Sequence, residues 1–550
     1  MGYNRYNRYN RYNVNNDFRE QPPIMLLSDR HLTTKKRGFR RGLGRHTLIL
    51  VLALAVTGCA TVDFDAPKTE SFAYTDTDDT RLSKAISGRD QHPDNYSGFY
   101  LLSDAIDALA ARLLLADRAQ RSIDAQYYLL KNDVIGRVFI ATLLRAAERG
   151  VRVRLLIDDI GTGGMDKELA AIADHPNLEL RLFNPFANRS MRAADAWDFG
   201  RLNRRMHNKS FTVDNQITII GGRNIATEYF AANRKYNFGD LDTLAIGPVV
   251  QDTSNMFDSF WNHPRSVPFE QLSGQTEDGG ARLSRLMQKL EAVIEDLRET
   301  PYAQAIEDSF DRFVDSDESI YTWARYRLVF DAPDKVLGKV SGDDTIVTPL
   351  LKAARAAERE LLVISPYFVP RRAGIESIGE KARSGVQVDI VTNGLAANDH
   401  LIVYGGYAPA RKPLMRDGVR FFEVRGDLVL PGTEAAGTEK ARSSLHTKAF
   451  VVDRRYFFMG SFNWDPRSAE INTELGILMD APEIAGEVAR LIYSAAPGRS
   501  YEAFLNDAGK VNWRTTENGQ EIIYTKEPES GWWRRTSANL TRILPIRSQL

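Results

Sequence analysis

The stretch RRMHNKSFTVDNQITIIGGRN, residues 204–224, holds a histidine, a lysine and an aspartate within eight positions and closes on a glycine pair and an asparagine. The stretch SLHTKAFVVDRRYFFMGSFNWD, residues 444–465, repeats these residue types at the same spacing, with its histidine 239 residues later. Both copies follow the pattern H-x-K-x4-D-x6-G-(G/S)-x-N, and its members are His207, Lys209, Asp214, Gly221, Gly222 and Asn224 in the first copy and His446, Lys448, Asp453, Gly460, Ser461 and Asn463 in the second. Two copies predict a duplicated chain in which each copy supplies half of a site.

The elements that surround the two copies recur as well. Hydrophobic periodicity predicts helices at 105–120, 134–150, 346–360 and 374–385, and buried strands at 122–130, 151–159, 361–370 and 386–393. GVRVRLLID and GVQVDIVTN, 235 residues apart, are the same element. Strand–helix alternation implies mixed or parallel sheets covered by helices, so we expect an α/β chain with two lobes.

The 550 residues exceed what a single core usually holds. We predict a leader with a lipoprotein-type signal segment, a flexible tether rich in Asp, Thr, Ser and Lys, a first lobe, connecting helices, a second lobe and a C-terminal extension. Their respective bounds are 1–58, 59–95, 96–275, 276–330, 331–505 and 506–550. Lysine plus arginine and aspartate plus glutamate both number 72, and this balance argues against a dedicated nucleic-acid binder.

The N-terminal region resembles an export signal. KKRGFRRGLGRH (35–46) is basic, TLILVLALAV (47–56) is an apolar run too short to cross a bilayer, and Thr57-Gly58-Cys59 follows. Val56 to Cys59 resembles the lipobox of bacterial lipoproteins, which implies lipidation of Cys59 and attachment to the periplasmic side of the inner or outer membrane, with Ala60 favouring the outer one. The alternative is a signal-anchor with an incidental cysteine. Residues 1–24 form a low-complexity leader, or translation starts at Met25.

The paired motif resembles that of the phospholipase D superfamily. Residues from about 96 to 550 are similar to the bacterial cardiolipin synthases of the C type, and the stretches that carry this likeness include RLFNPF (181–186), RLNRRMHNKSFTVD (201–214), GGRNIATEYF (221–230), TNGLAANDH (392–400) and GSFNWDPRSAEINTELG (460–476). The resemblance implies two tandem phospholipase D-like lobes, related by pseudo-twofold symmetry, with one active site between them.

Phosphodiester transfer needs a nucleophile, a proton for the leaving alkoxide, and positive charge for the non-bridging oxygens. A histidine suits the first two tasks because its ordinary pKa lies near 6.5. Lys209 and Lys448 would hold the phosphate, assisted by Asn224 and Asn463, so no metal or other cofactor is expected. The H-x-K spacing also supplies one imidazole per strand, which is a poor metal site.

The resemblance implies His207 as the nucleophile and His446 as the general acid and base, although pseudo-symmetry leaves the reverse open. It also implies that Asp214 and Asp453, which belong to the catalytic motif, lie behind the site and support the fold. A carboxylate is expected to orient each histidine. Our candidates are Glu474 for His446 and Asp242 for His207, with Asp240 as the rival of Asp242.

The predicted function is that of a phosphatidyltransferase that carries a phosphatidyl group on histidine and passes it to phosphatidylglycerol, giving cardiolipin. The partners are membrane phospholipids, namely phosphatidylglycerol alone or with phosphatidylethanolamine, and a membrane surface held through the lipid anchor. The alternatives are a phospholipase D that hydrolyses phospholipids, a nuclease, and a non-catalytic lipid-binding lipoprotein. Neutral charge and the export signal argue against the nuclease, and two intact motifs argue against a retired enzyme.

Two further segments carry arginine beside aromatic residues. Residues 183–206 hold five arginines with Trp197, and this mixture suits contact with anionic headgroups at a membrane. The tail carries Trp532 and Trp533 followed by two arginines, a combination typical of interfacial anchoring, with core packing of the tryptophans as the alternative.

Overall fold

The computed structural model describes residues 61–86, 92–93, 95–273, 278–314, 320–340 and 342–541. Its helices are α1 (Arg81–Ile86), α2 (Ala105–Arg118), α3 (Val134–Glu148), α4 (Asp166–Ala173), α5 (Phe199–Leu202), α6 (Pro248–Trp261), α7 (Phe269–Ser273), α8 (Gly279–Arg298), α9 (Pro301–Val314), α10 (Val347–Arg355), α11 (Arg372–Arg383), α12 (Leu401–Arg416), α13 (Pro466–Glu470), α14 (Pro482–Arg499) and α15 (Trp532–Thr541). Short 3-10 helices occupy Asp159–Gly161, Arg192–Asp198, Thr227–Tyr229, Pro333–Leu337 and Gly342–Asp344.

The strands are β1 (Tyr96–Leu102), β2 (Ser122–Tyr127), β3 (Arg152–Asp158), β4 (Leu178–Phe183), β5 (Ser210–Val213), β6 (Ile217–Gly221), β7 (Tyr236–Gly239), β8 (Asp242–Ile246), β9 (Ser266–Pro268), β10 (Thr322–Phe330), β11 (Glu360–Ile364), β12 (Gln387–Asn393), β13 (Arg420–Val424), β14 (Arg442–Leu445), β15 (Ala449–Val452), β16 (Tyr456–Gly460), β17 (Leu475–Asp480), β18 (Ser500–Leu505), β19 (Val511–Glu517) and β20 (Gln520–Tyr524). The eight helices and strands that periodicity predicted are all present, and six of them match their predicted bounds within three residues, but the helix predicted at 346–360 ends at Arg355 and the strand predicted at 361–370 ends at Ile364.

Eighteen of these strands form one mixed sheet. The hydrogen-bonded neighbours follow the order β9-β4-β3-β2-β5-β6-β8-β1-β10-β17-β16-β15-β11-β12-β13-β18-β19-β20. The sheet repeats the same order of strands on both sides of the antiparallel β1–β10 pair. Outward from β1 the strands are β8, β6, β5, β2, β3, β4 and β9. Outward from β10 their counterparts, in the same order, are β17, β16, β15, β11, β12, β13 and β18. The duplicated α/β architecture is therefore confirmed, with the pseudo-twofold axis between β1 and β10.

The predicted stretch of connecting helices at 276–330 differs from the structure at its end. Helices α8 and α9 do connect the lobes, but Thr322–Phe330 is strand β10, the second-lobe counterpart of β1. The two lobes consequently share one continuous sheet. One face of the sheet carries α6 and α14 over a core that runs through both lobes, and the other face carries a separate core in each lobe.

The predicted flexible tether at 59–95 also differs from the structure. Residues 64–77 form a strap across lobe 1, where Lys68 Nζ donates to the Ser266 carbonyl at 2.7 Å and the Ala73 amide donates to Asp258 at 2.9 Å. At its far end, Gln216 donates to the Thr77 hydroxyl. These bonds involve backbone groups and side-chain tips, so a segment with no apolar periodicity is nevertheless fixed to the lobe.

Candidate active site

Each H-x-K pair lies directly before a strand, β5 in lobe 1 and β15 in lobe 2. The amino end of that strand lies beside the carboxyl end of its antiparallel neighbour, β2 or β11. Gln126 at the end of β2 is opposite Ser210 at the start of β5, and His207 and Lys209 directly precede that serine. In the second lobe His446 and Lys448 precede Ala449 of β15 in the same way. The histidines are 8% and 6% exposed and both lysines are buried. The two motif copies thus provide four basic side chains with little access to water.

The carboxylates that contact the histidines are exchanged between the lobes. Glu474 of lobe 2 lies 2.7 Å from Nδ1 of His207 in lobe 1, and Asp240 of lobe 1 lies 2.5 Å from Nδ1 of His446 in lobe 2. The expectation that Glu474 serves His446 is therefore wrong, because its side chain crosses to the other lobe. A carboxylate at Nδ1 holds that nitrogen as the hydrogen-bond donor and leaves Nε2 for chemistry.

Asp242, our candidate for His207, contacts neither histidine. Its carboxylate is paired with two buried guanidinium groups, Arg112 at 2.8 Å and Arg223 at 3.3 Å. A Cβ on Gly221 would meet Asp242, which pairs with Gly221 in the β6–β8 ladder, whereas a Cβ on Gly222 would meet Asp240. The rival candidate Asp240 does reach the site, but it contacts His446 and not His207 as predicted.

A sequence signal for Asp240 was available. The Gly222 amide donates to the carbonyl of Leu241, and the Ser461 amide donates to the carbonyl of Leu475. These two leucines are therefore equivalent, and the acids directly before them, Asp240 and Glu474, are equivalent as well. Aligning Asp-Leu with Glu-Leu would have found the pair, whereas aligning from the motif glycines misses it because the intervening loop is five residues longer in lobe 1.

Backbone hydrogen bonds hold each histidine against the other lobe. The His207 amide donates to the Thr473 carbonyl at 2.9 Å, and the Thr473 amide donates to the Arg205 carbonyl at 3.0 Å. The His446 amide donates to the Gly239 carbonyl at 2.7 Å, where β7 and β14 pair in parallel. Each histidine is thus held beside the segment that carries its carboxylate, and the site exists only when both lobes are in place.

Burial dominates the electrostatics of the four basic groups. Burial, reinforced by Lys209 and Lys448, holds the pKa of His207 well below its usual range. Burial and Lys448 also lower the pKa of His446, but Asp240 opposes that shift. Burial lowers the pKa of Lys448 to about 8 and that of Lys209 well below its usual range. A bound anion would favour the protonated form of all four groups and would therefore oppose the lowering of their pKa values by burial.

The two carboxylates differ in the same respect. Burial tends to raise the pKa of Asp240, but the charges of Lys448 and His446 outweigh it and the pKa falls below the ordinary value. Burial raises the pKa of Glu474 to about 7, although Lys209 opposes it. Glu474 Oε2 accepts from the Ser461 hydroxyl, and Oε1 is buried with no hydrogen-bond partner among the described residues. Asp240 is therefore the more firmly ionised of the two.

Asp214 and Asp453 lie behind the site in equivalent positions. Asp214 accepts the backbone N–H groups of residues 120–122, and Asp453 accepts those of residues 358–360. Both adopt a positive φ, 50° and 54°, which aspartate tolerates better than most residues. These contacts tie the turn after each histidine strand to the start of a neighbouring strand, and neither carboxylate contacts a histidine.

The two motif asparagines have different surroundings. Asn224 accepts from the Leu129 amide and donates to the Tyr229 hydroxyl, whose ring packs edge-on against His446 at 5.1 Å. Asn463 Oδ1 is buried and finds no hydrogen-bond partner among the residues described. In this structure Asn224 positions an aromatic wall of the site, so phosphate binding by either asparagine stays a prediction.

The sequence predicted that the arginines of 183–206 contact lipid headgroups, but four of the five form ion pairs within the protein. Arg189 and Arg192 pair with buried Asp159, Arg201 pairs with Asp198, and Arg205 pairs with Asp158. These ion pairs hold the loop to lobe 1. In the tail, Arg534 donates to backbone carbonyls of the 395–398 segment, while both tryptophans project into solvent at 61% and 75% exposure, so they do not pack into the core.

Cys59 and the whole signal segment lie outside the described residues. Among the residues that are described, no group of three or more His, Cys, Asp or Glu side chains is placed to hold a metal ion. No helix in the same part of the chain combines the length and the hydropathy needed to span a bilayer.

Two pseudo-symmetric lobes whose H-x-K-D motifs meet in one site define the phospholipase D class. The family described as "Cardiolipin synthase, PLD-like domain" matches residues 114–261 and 350–494, and the chain belongs to this family. Cardiolipin synthase C of Escherichia coli is 38% identical over 461 residues, which cover 83% of this chain and 96% of that protein. A cardiolipin synthase of Staphylococcus aureus is 25% identical over 66% of this chain and 60% of its own length.

The solved structure of phosphatidylserine synthase from Haemophilus influenzae has the same fold. It superimposes with a TM-score of 0.52 over 77% of this chain and 92% of that chain, at 14% sequence identity. The duplicated architecture is therefore shared with a solved protein of low sequence identity.

Proposed function

We propose that this protein is a phosphatidyltransferase that makes cardiolipin through a phosphohistidine intermediate. The observation that carries the proposal is the exchanged pair of histidine–carboxylate contacts, His207 with Glu474 and His446 with Asp240, beside two buried lysines. The family membership supports the substrate class, since the matching family is described as a cardiolipin synthase family and the relative that is 38% identical over 83% of this chain is named cardiolipin synthase C.

In the first step, Nε2 of neutral His207 attacks the phosphorus of a glycerophospholipid. The P–N bond forms as the bond from phosphorus to the headgroup oxygen breaks, and His446, protonated at Nε2, gives its proton to that oxygen. The headgroup leaves as an alcohol and the phosphatidyl unit stays on His207. Lys209 and Lys448 stabilise the charge on the non-bridging oxygens.

In the second step, a hydroxyl of the glycerol headgroup of phosphatidylglycerol takes the place of the departed alcohol. His446, now neutral, removes the hydroxyl proton while the oxygen attacks phosphorus and the P–N bond breaks. His207 is returned as neutral imidazole, His446 is protonated again, and the product is cardiolipin. Water in place of the second lipid would give phosphatidic acid.

The electrostatic difference between the two histidines supports this division of roles. A nucleophile must be neutral, and His207 has the more strongly lowered pKa, with a partner carboxylate whose own pKa is raised to about 7. A general acid needs an imidazolium, and ionised Asp240 beside His446 opposes the lowering of the His446 pKa by burial and Lys448, so that it is lowered less than the His207 pKa. Pseudo-symmetry left this choice open in the sequence.

We also infer where the enzyme works. Lipidation of Cys59 would attach it to the periplasmic side of the inner or outer membrane, where its phospholipid substrates lie. The support is the signal-like order of a basic segment, an apolar run and Thr57-Gly58-Cys59. Radiolabelled palmitate should enter the wild-type chain and not Cys59→Ser in cells, and incorporation into both would refute the lipoprotein assignment.

The decisive experiment supplies defined lipids to the purified full chain and identifies products by mass spectrometry. We expect cardiolipin from phosphatidylglycerol alone, and isotope-labelled phosphatidylethanolamine tests whether it also donates. His207→Ala should abolish the product, whereas Tyr456→Ser, at the start of β16 and opposite the last residue of β15, should not. Phosphatidic acid as the only product would reject the transferase and leave a hydrolase.

A further inference from the structure

The loop that follows β4 has an unusual distribution of exposed residues between 191 and 200. Its charged residues are the covered ones: Arg192 and Asp198 are partly buried and Asp195 is fully buried. All of its exposed residues are non-polar, and they are Met191, Ala193, Ala194, Ala196, Trp197, Phe199 and Gly200. A solvated loop shows the reverse pattern, since charged side chains normally face water. We call this surface the 191–200 face.

The non-polar side chains of this face are largely exposed, and the loop that carries them is held rigidly. Met191, Trp197 and Phe199 are 57%, 60% and 61% exposed. Beneath them, Asp195 accepts the amides of residues 187 and 188, and Arg201 donates to Asn184 and to the Pro185 carbonyl. Because these bonds fix the loop from below, the aromatic side chains are presented outward by the fold itself. Clustered exposed apolar side chains mark an interaction surface.

The 191–200 face lies on the same edge of the sheet as the active site. The loop leaves the carboxyl end of β4, and His207 lies at the carboxyl end of β2, which is parallel to β4 through β3. The loop also continues directly into the motif, since Arg205 and the Met206 amide bind Asp158 at the end of β3. Whatever covers the face therefore approaches the edge where the substrate must enter.

The strap begins, at Phe64, near the carboxyl end of β4. Phe64 packs under the guanidinium groups of Arg265 and Arg201, at 3.9 and 5.3 Å from its ring centre, and the Arg265 carbonyl accepts the amide of Asn184, directly after β4. From there the strap runs to Tyr74 and Thr77, which contact the β5–β6 turn at the opposite edge. Cys59 precedes Phe64 by five residues, and five residues reach at most about 18 Å.

We propose that the 191–200 face docks on the surface of a phospholipid bilayer by inserting Met191, Trp197 and Phe199 among the lipids. This inference rests on the proposed function for its biological purpose, and on the short reach from Cys59 for its orientation. Arg189, Arg192 and Arg201, which flank the exposed non-polar residues, are already paired with aspartates, so the contact is hydrophobic and not a headgroup ion pair. Tryptophan and phenylalanine are suited to the bilayer interface.

The experiment measures local lipid contact without needing activity. The chain has one cysteine, so Ala196→Cys and Phe72→Cys are each made in the full-length Cys59→Ser chain and labelled with an environment-sensitive fluorophore. Phe72 is the matched control, because it is 58% exposed and lies on the same strap, between residues that bind Asn262 and Asp258. Both proteins are added to phosphatidylcholine vesicles that contain lipids brominated on their acyl chains.

We expect bromolipid quenching at position 196 to exceed that at position 72 by about five-fold. The quenching should persist in about 0.5 M salt, which screens electrostatic attraction to the vesicle surface. Equal, weak quenching at both positions would overturn the proposal, and so would loss of quenching in salt. A label at 196 that is shielded without vesicles, in a chain that is dimeric, would assign the face to a second copy instead.

A second variant connects docking to catalysis. Trp197→Ser with Phe199→Ser should lower turnover of vesicle lipids by about ten-fold and leave turnover of a short-chain, water-soluble analogue unchanged. An equal loss with both substrates would indicate damage to the site and contradict docking. If the proposed function were wrong, no variant would make cardiolipin, yet quenching at position 196 would still report the bilayer contact.

Discussion

His207 and His446 occupy equivalent positions in the two lobes, and each receives a carboxylate from the other lobe, but the two halves of the site have different electrostatic properties. The His446 half contains an aspartate whose pKa is lowered by Lys448 and by the histidine itself. The His207 half contains a glutamate whose pKa burial raises to about 7 and which is held by the Ser461 hydroxyl. In lobe 1 a glycine, Gly222, occupies the position of that serine.

This difference shows how a duplicated site can acquire two roles without changing its principal residues. The histidines and lysines are the same in both halves, and what differs is the carboxylate and the residue beside it. An ionised aspartate favours a charged imidazole, whereas a carboxylate that is easily protonated leaves the imidazole neutral. The following four predictions test that contrast, in order of expected effect.

Replacing either histidine should have the largest effect and should separate the roles. His207→Ala should lower kcat by at least about 10⁴-fold, since the covalent intermediate cannot form. With a p-nitrophenyl phosphodiester, whose leaving group needs no proton, His446→Ala should still release a burst of nitrophenol and accumulate phosphohistidine. Rapid-mix absorbance and mass spectrometry measure both. A burst from His207→Ala and none from His446→Ala would reverse the assignment.

Neutralising the carboxylates should have unequal effects. Asp240→Asn should lower kcat by about 10²-fold and Glu474→Gln by about ten-fold, because Asp240 is the more firmly ionised of the two and lies beside the histidine that donates the proton. Loss of the Asp240 charge lowers the pKa of His446, so its protonated fraction falls and the basic limb of the pH–rate profile moves to lower pH.

The acid limb should respond to the other carboxylate. Glu474 ionises near pH 7, so activity that needs its carboxylate should fall as the pH drops through that value, and Glu474→Gln should remove this dependence. Profiles of kcat against pH for the two variants provide the measurement. If Glu474→Gln moved the basic limb and Asp240→Asn did not, the two halves would have to exchange roles.

Changing the residue beside each carboxylate should have a smaller effect. A Cβ at Gly222 would lie 2.2 Å from Asp240 Oδ1, so Gly222→Ala should displace this carboxylate and lower kcat by about ten-fold. Ser461→Ala removes one hydrogen bond to Glu474 and should cost only a few-fold. Gly486→Ala, in helix α14, is the matched control, since a Cβ there meets open space. Steady-state kinetics provide the measurement. A lower kcat for Ser461→Ala than for Gly222→Ala would contradict the proposed difference between the two halves of the site.

Removing the motif aspartates should affect stability and leave kcat within about two-fold, since neither contacts a histidine. Asp214→Ala leaves three backbone N–H groups without their acceptor in a fully buried setting, at a cost of about 3 kcal/mol. Asp453→Ala should cost about 1 kcal/mol, because water can replace its partly exposed carboxylate. Thermal unfolding measures the difference. Equal midpoints, or loss of kcat at normal stability, would contradict this assignment.

Much of the fold could be predicted because the duplication gives two copies of each helix and strand in the sequence. The helices before Gly150 and Gly385 end at equivalent glycines with φ of 90° and 94°, a conformation that favours glycine, and the strands after them were predicted correctly in both lobes. Strand β10 was missed because it carries Arg325 and Arg327 and has little buried surface, so its residues resemble a linker. Its pairing with β1 and β17 is a long-range contact that local patterns do not encode.

The motif residues of the site were evident from spacing, but the pairing of histidines and carboxylates was not. A repeat suggests that each copy is self-contained, and that assumption led to Glu474 with His446 and to Asp242 with His207. The structure reverses it because the segments that carry Asp240 and Glu474 form backbone bonds with the opposite lobe at Gly239 and Thr473. The strap was missed for a related reason, since its contacts use backbone groups and not an apolar pattern.

The exchange of carboxylates has a consequence for the order in which the enzyme becomes active. During synthesis, His207 leaves the ribosome 267 residues before Glu474, the side chain that orients it. Lobe 1 on its own has a nucleophile without its orienting partner, and lobe 2 on its own has an acid without its stabilising charge. An unfinished or broken chain therefore carries no working half-site, and lipid chemistry begins only once the polypeptide is whole.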